Sequence, residues 1–415
     1  MNQAVIHSGC GAEPGLISAD QALQMMLDYV QPLTAEMLPL SQALNRYAAE
    51  DIHSAINLPI FSQSAVDGYA VCADQQIQPD ARFELIGEIR AGQAADAQLQ
   101  PGQAIRIFTG AEIPAGTVAV ARQEIVQAEA CCIVLTEALQ PHADIRGMGE
   151  EVAAGQLLAC AGQKLNVGAI AALSMAGIQQ VRVFRYPKIA VVITGDEVAE
   201  TVEDLSSGQI FDANGPLIQA WFQAQNQAAD IMHVQDSEQA AVDLFHSLKN
   251  QYDVILTTGG VSVGDYDFVR PAALKTGFEQ IFWKVKQKPG KPILFAQHKG
   301  SDQRACYLLG LPGNPGAVYI GMQLYAAVLL NALQGQKQLP AWFSAVMTHD
   351  LKADARERFL RMSAGFDQGL LKLTSLAKQQ SHMLSNLMQA NCIVRVPAGQ
   401  PVQAGQVLQG LFIQN

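Results

Sequence analysis

Val254-Ile-Leu-Thr-Thr-Gly-Gly-Val-Ser-Val-Gly-Asp-Tyr-Asp-Phe268 begins with three apolar residues and then changes character at once. The apolar start predicts a buried strand. The four small residues from Thr257 to Gly260 then let the backbone turn sharply and approach a ligand closely. Two carboxylates, Asp265 and Asp267, arrive at the end of the turn. Downstream come Trp283-Lys-Val-Lys-Gln-Lys-Pro-Gly-Lys-Pro292 and Gly310-Leu-Pro-Gly-Asn-Pro315. A glycine loop, paired acids, a lysine cluster and a second rigid loop suit a phosphate-bearing ligand with a divalent cation. Each is common alone. Their order and spacing carry the reading.

Outward from this stretch, strand and helix signals alternate across residues 187–333. Strands are expected at 189–193, 229–234, 254–256 and 306–309, and helices at 215–225, 238–249 and 316–330. Such alternation predicts a parallel α/β sheet, and ligands of open parallel sheets bind beyond the carboxyl ends of the strands. Thr194-Gly-Asp-Glu197, Thr257 to Gly260, Asp236 and the Gly310–Pro315 loop all follow expected strands. One such loop is ordinary turn chemistry, since Gly, Asp and Pro form turns anyway. Four converging loops predict a site. Within it Glu197, Asp236 and Asp267 are candidate Mg2+ ligands, with helix capping the competing reading for Asp196 and Asp236. Lys284, Lys286 and Lys288 share one face of an extended segment, and Lys291 is held by two prolines and a glycine. The competing reading of these lysines is a solvated edge strand.

The flanking regions differ in texture. Residues 16–50 read as helical, with Ser18 capping a helix through Met26 and Val30 and a short strand at 37–40. Residues 53–150 carry short apolar runs broken by Gly and Pro, which predicts a β-rich module. Helix returns at 165–178, so the module interrupts a discontinuous helical domain of residues 16–52 and 151–186. Residues 334–415 read as a small β-barrel. Ser64-Ala-Val-Asp-Gly-Tyr-Ala70 and Phe108-Thr-Gly-Ala-Glu-Ile-Pro114 read on their own as turns, and Asp144-Ile-Arg-Gly-Met-Gly-Glu-Glu151 as a linker.

With 415 residues the chain is long enough for two to four domains. A formal net charge of −11 argues against nonspecific binding of nucleic acid or anionic membrane, so an anionic ligand needs a locally basic pocket. The most apolar helical stretches, 167–178 and 316–330, fall short of the ~20 residues of a membrane span. The N-terminus has no leader pattern, and residues 1–15 read as a disordered tail. Seven cysteines without Cys-x-x-Cys spacing fit a reducing cytoplasm and give no zinc site.

From about residue 19 to the C-terminus, these motifs resemble the MoeA family of molybdopterin molybdenumtransferases, which also forms the enzymatic end of gephyrin. The carriers are residues 64–70, Arg106-Ile-Phe-Thr-Gly-Ala111, residues 145–151, 194–197, 259–267, 288–292 and 310–315, and Ser381-His382. The resemblance implies four domains, an elongated homodimer, and insertion of molybdate into adenylylated molybdopterin with release of AMP, assisted by Mg2+ or a similar cation. A molybdopterin adenylyltransferase and molybdoenzyme apoproteins would be its protein partners. By motif position, Glu197, Asp236 and Asp267 would serve the metal and phosphate end. Thr194, Gly259, Gly260, Ser262, Pro312, Gly313, Asn314 and Pro315 would shape the ligand loops. Lys284, Lys288 and Lys291 would hold anionic groups, and Arg356, Arg361 and Ser385 would come from the C-terminal domain. Asp67, Thr109, Arg146 and Glu151, the last also a candidate metal ligand, would come from the β module and face the α/β domain of the partner subunit.

Three departures stand out: Glu151 for the family's usual Asp, Gly316-Ala317-Val318 for Val-Ser-Ala, and Met362 for a glycine after Phe-x-Arg. Two other functions therefore stay open. One is an adenylyltransferase acting on the pterin, disfavoured by the Val-Ser-Val loop and the extra domains. The other is a non-catalytic binding or scaffolding protein of MoeA shape.

Overall fold

Alternate residues of each central strand face opposite cores. Ile189, Val191 and Ile193 join one buried cluster, and Ala190 and Val192 join another; Val254 and Leu256 are likewise divided from Ile255, and Leu309 from Leu308. A strand buried on both faces has no polar side, which is why these segments read as unbroken apolar runs. Each fully buried Leu or Ile contributes about 1.5–3 kcal/mol before chain entropy is counted.

The computed structural model describes residues 16–199, 205–261, 267–300 and 304–413. Ser262, Asp265 and the expected tail at residues 1–15 lie outside the described residues. Two compact units emerge, one of residues up to 35 with those from 184 on, the other of residues 36–183.

In the first unit, six strands form a sheet: β1 (Ile189–Thr194), β2 (Asp230–Val234), β3 (Val254–Thr258), β4 (Glu279–Trp283), β5 (Leu294–Lys299) and β6 (Ala305–Leu311), in the order β2-β1-β3-β6-β5-β4. The first four in that order are parallel, while β5 runs antiparallel to both β6 and β4. The sheet is therefore mixed, with an antiparallel arm that carries the lysine segment between β4 and β5.

Helix Pro315–Leu333 packs in the larger core and includes a π-helical segment, Met322–Ala326. It extends past the expected 316–330. It is also long and apolar enough to cross a membrane, but 83% of its apolar window is buried inside the protein, so it serves as a core helix.

Helix Ala19–Tyr29 is capped by Ser18 and Gln21 in a reciprocal capping box and buries Ala22, Leu23 and Met26 in the core of the α/β sheet. This divides the stretch 16–52, expected to belong wholly to the helical domain. The helix goes with the α/β sheet, whereas residues from 36 on go with the second unit. The expected helical character of 16–50 ends at Tyr29. Pro32 and Pro39 lack backbone donors, and Ala35–Pro39 is a strand.

The C-terminal strands close into a five-stranded barrel. Glu357–Asp367 pairs with Leu370–Ser375, which leads through Phe343–Met347 and Val407–Phe412 to Cys392–Val396, and that strand pairs back onto Glu357–Asp367. Gln287–Lys288 is added in parallel to the same long strand, with Gln287 opposite Glu357 and Lys288 opposite Arg358.

The second unit holds a six-stranded sheet with apolar clusters on both faces, built around Gly68–Val71 and Gln103–Ile107. Its remaining part is less helical than expected, with one helix, Val167–Met175, among short strands and a 3-10 turn in the described residues.

Candidate active site

Three loops meet where β1, β3 and β6 end. The strands finish level, Ile193 opposite Thr258 and Thr258 opposite Leu311. The Thr194 hydroxyl donates to the Thr258 carbonyl at 2.8 Å, and the Gly259 amide donates to the Leu311 carbonyl at 2.9 Å. Gly259 has φ +87°, and a Cβ there would stand 2.5 Å from the Thr194 hydroxyl oxygen. Only glycine fits that position. On the other side, Asp212 accepts from the amides of Asn214 and Gly215 at 2.8 and 3.0 Å, and the Asn214 side chain donates to the Gly313 carbonyl at 2.8 Å. The sequence reading missed this brace, although Asp212-Ala-Asn-Gly215 ahead of an apolar helix is a capping signature.

A cavity of about 610 Å3 opens beside these loops. From the sequence-derived set it brings together Gly260, Asp267, Lys288, Lys291, Pro312, Gly313, Asn314 and, from the C-terminal region, Arg356. Asp354, Arg358, Gln379, Gln380 and Ser381 also line it, and of these only Ser381 belongs to the motifs named from sequence. Lys288 Nζ donates to Asp354 at 2.8 Å. That bond, together with the Arg356 amide, holds the Asp354 carboxyl below its ordinary value. Arg356 Nη1 in turn donates to the Gln287 carbonyl at 3.2 Å. The signal for these barrel residues was the charged run Asp354-Ala-Arg-Glu-Arg358, whose placement depends on the pairing of Lys288 with Arg358.

Other candidates lie elsewhere. Lys284 has φ +72°, which breaks the alternation assumed for the lysines, and its ammonium sits 4.3 Å from the centre of the Trp283 ring. It does not line the cavity. Arg361 is buried, and its guanidinium donates to the carbonyls of Lys378, Gln380 and Met383. It holds the loop that bears Gln379, Gln380 and Ser381 from behind and does not reach the cavity surface. Ser385 is exposed at the start of a 3-10 turn and is not a lining residue, and Pro315 opens the core helix.

Glu197 and Asp236 do not line this cavity, and Glu197 lies near enough to Asp236 for its charge to act there. Burial raises the Asp236 carboxyl above its ordinary value, the Asp196 amide draws it back in part, and the charges of Asp196 and Glu197 raise it further. Its Oδ1 is buried without a hydrogen-bond partner. Among the described residues no three His, Cys, Asp or Glu side chains form a ready metal cluster. A crowded carboxylate with an orphaned oxygen nevertheless fits a hydrated dication held by few protein ligands and by substrate phosphates.

The second unit holds its own polar group. Thr109 donates to Asp67 Oδ1 through both its amide and its hydroxyl, each at 2.8 Å. These bonds, the amide first, lower the Asp67 carboxyl, and nearby Arg106 adds to the effect. Arg146 lies opposite Gln63 in a short strand pair with Ser64 opposite Ile145, and the Gly110 amide donates to the Ser64 carbonyl at 2.9 Å. The loops of Asp67, Thr109 and Arg146 are thereby stitched together. Glu151 is exposed, its amide bonded to the Leu58 carbonyl at 3.0 Å.

Comparison with known proteins agrees along the chain. Family profiles described as "MoeA N-terminal region (domain I and II)", "Probable molybdopterin binding domain" and "MoeA C-terminal region (domain IV)" match residues 17–177, 190–332 and 344–411. A molybdopterin molybdenumtransferase of Haemophilus influenzae is 36% identical over 91% of this chain and 94% of its own length. One of Staphylococcus epidermidis is 30% identical over 96% of each. The structure of a molybdopterin biosynthesis MoeA protein from Pyrococcus horikoshii superposes with a TM-score of 0.81 at 25% identity, covering 96% of this chain and 100% of that one. The chain therefore belongs to the MoeA family of molybdopterin molybdenumtransferases, a family of transferases.

Proposed function

We propose that this enzyme inserts molybdate into adenylylated molybdopterin, releasing AMP. The observation that carries the reading is the cavity itself. Lys288, Lys291, Arg356 and Arg358 line it with Asp267 and Asp354 at the carboxyl ends of parallel strands, in a chain whose bulk charge is negative. The reaction cleaves a phosphoanhydride and brings an oxyanion to a dithiolene, so negative charge crowds on negative charge. Fixed cations already in place are what such a step needs. A volume of about 610 Å3 suits a ligand of this size.

We further propose Mg2+ as the assisting cation, held by Asp236 with Glu197 and by Asp267 toward the phosphate end; when bound it would offset phosphate charge. The orphaned Oδ1 of Asp236 supports this assignment. The other proposed element is a homodimer in which Asp67, Thr109, Arg146 and Glu151 of one subunit complete the site of the other. Helix Val167–Met175 supports a dimer. It is apolar all round yet buries little beyond Leu173, leaving Val167 74% and Met175 51% exposed. An apolar helix face of this kind calls for a cover. The enzyme would act in the cytoplasm, consistent with free cysteines at Cys72, Cys131, Cys132, Cys160, Cys306 and Cys392.

Two parallel incubations test the function. With adenylyl-molybdopterin, AMP release should require molybdate. With molybdopterin and ATP, consumption of ATP would point instead to an adenylyltransferase. Binding without turnover in either would leave a scaffold.

A further inference from the structure

Behind the lysine turn stands a buried hydrogen-bonded chain. Gln287, immediately before Lys288, is fully buried. Its Nε2 donates to the Pro289 carbonyl at 3.0 Å, and its own carbonyl receives Arg356. Its Oε1 accepts from the hydroxyl of Tyr325, a buried residue of the π-helical segment. Pro289, Gly290 and Arg356 all line the cavity. Gln287 thus touches, from behind, the wall that presents Lys288 and Lys291.

The direction of these bonds is fixed by chemistry. The Pro289 carbonyl can only accept, so the amide nitrogen of Gln287 faces the turn and its oxygen is left to take the Tyr325 hydroxyl. The backbone there lies close: a Cβ at Gly290 would stand 3.0 Å from Gln287 Nε2. The π-helical segment changes the phase of the core helix just where Tyr325 leaves it, and such turns recur at functional sites. Phenylalanine would fill the same apolar volume, so packing does not require the hydroxyl.

We propose that Tyr325 and Gln287 are positioning residues for the reaction, a two-link strut that sets the Lys288–Lys291 turn and Arg356 for an oxyanion. This rests on reading the cavity as the anion-binding site. Steady-state AMP release at varied molybdate, with thermal melting in parallel, tests both claims on the full-length enzyme. Tyr325→Phe should raise the KM for molybdate about fivefold, the size expected for loss of one hydrogen bond, with kcat nearly unchanged. Gln287→Glu keeps an acceptor for Tyr325 but cannot donate to Pro289, and it should raise KM similarly. The double variant should be no worse than the poorer single one, because the tyrosine acts only through the amide.

A lowered melting temperature with wild-type KM in both single variants would overturn the strut and leave the tyrosine a packing residue. Additive losses in the double variant would also overturn it. Lys291→Ala separates the two claims. If it leaves the molybdate KM unchanged, the cavity reading fails and the strut with it. If Lys291→Ala raises KM and the strut variants do not, only the strut fails.

Discussion

Lys286 and Lys291 differ by five positions and by environment. Lys291 lines the cavity within a Pro-Gly-Lys-Pro turn, and Lys286 does not. A side chain whose backbone is already fixed loses less freedom on binding. Lys291→Ala should therefore weaken ligand binding about tenfold, the worth of a charge-assisted hydrogen bond, and Lys286→Ala by less than about twofold. Isothermal titration of both variants with the pterin ligand measures the difference. Equal losses would mean that the segment acts as a diffuse basic strand. Arg361 carries the converse lesson. A sequence motif marks it as important without saying which way it points, and here its charge is taken up by three backbone carbonyls.

The core helix meets the barrel loop at Gly316. The Gly316 amide donates to the Ser381 carbonyl at 2.7 Å, and a Cβ there would stand 2.7 Å from that oxygen and 3.2 Å from Arg361 Nη1. Gly316→Val should thus destabilise by about 1–3 kcal/mol, as overpacking does. It should also shift Ser381 and raise the KM for molybdate; unchanged melting and kinetics would show that the loop yields freely. This contact was invisible in sequence because it joins a helix start to a loop of another domain. What could be read was periodic: the doubly buried strands, the amphipathic helices and the small residues at strand ends. The antiparallel arm was missed because β4 and β5 mix polar residues, Glu279, Gln280, Gln297, His298 and Lys299, into their apolar runs. The barrel contribution of Asp354 and Arg358 was missed because strand pairing leaves no local mark.

Opposite the carboxyl ends of the strands, Asp253 is buried between Arg185, at 2.7 and 2.8 Å, and Arg304, at 3.0 and 3.2 Å, and it also accepts from the Lys188 amide. Burial alone would raise its carboxyl, but these partners outweigh it and the net shift is downward. A carboxyl lowered on folding stabilises the protein above its ordinary pKa, and that stability is lost as pH falls through the folded value. Asp253→Asn should cost about 3 kcal/mol at pH 7, and the gap to wild type should narrow in strong acid. Urea titrations across pH measure this; a gap independent of pH would refute it.

The proposed dimer has its own test. Asp67→Ala and Asp267→Ala, each inactive, should on refolding together recover about a quarter of wild-type activity, since roughly half the dimers are mixed and each has one intact site. No recovery would mean that each subunit holds a complete site. Finally, the pairing of Gln287–Lys288 with the barrel fixes an order of manufacture. Lys288 and its partner Asp354 are separated by 66 positions, so a growing chain can lay down the whole six-stranded sheet before Lys288 meets its barrel partner. On the ribosome the sheet comes early and the pocket last. A product truncated before the barrel would carry every glycine loop of the site and still lack Asp354, Arg356 and Arg358, the barrel side of its cavity.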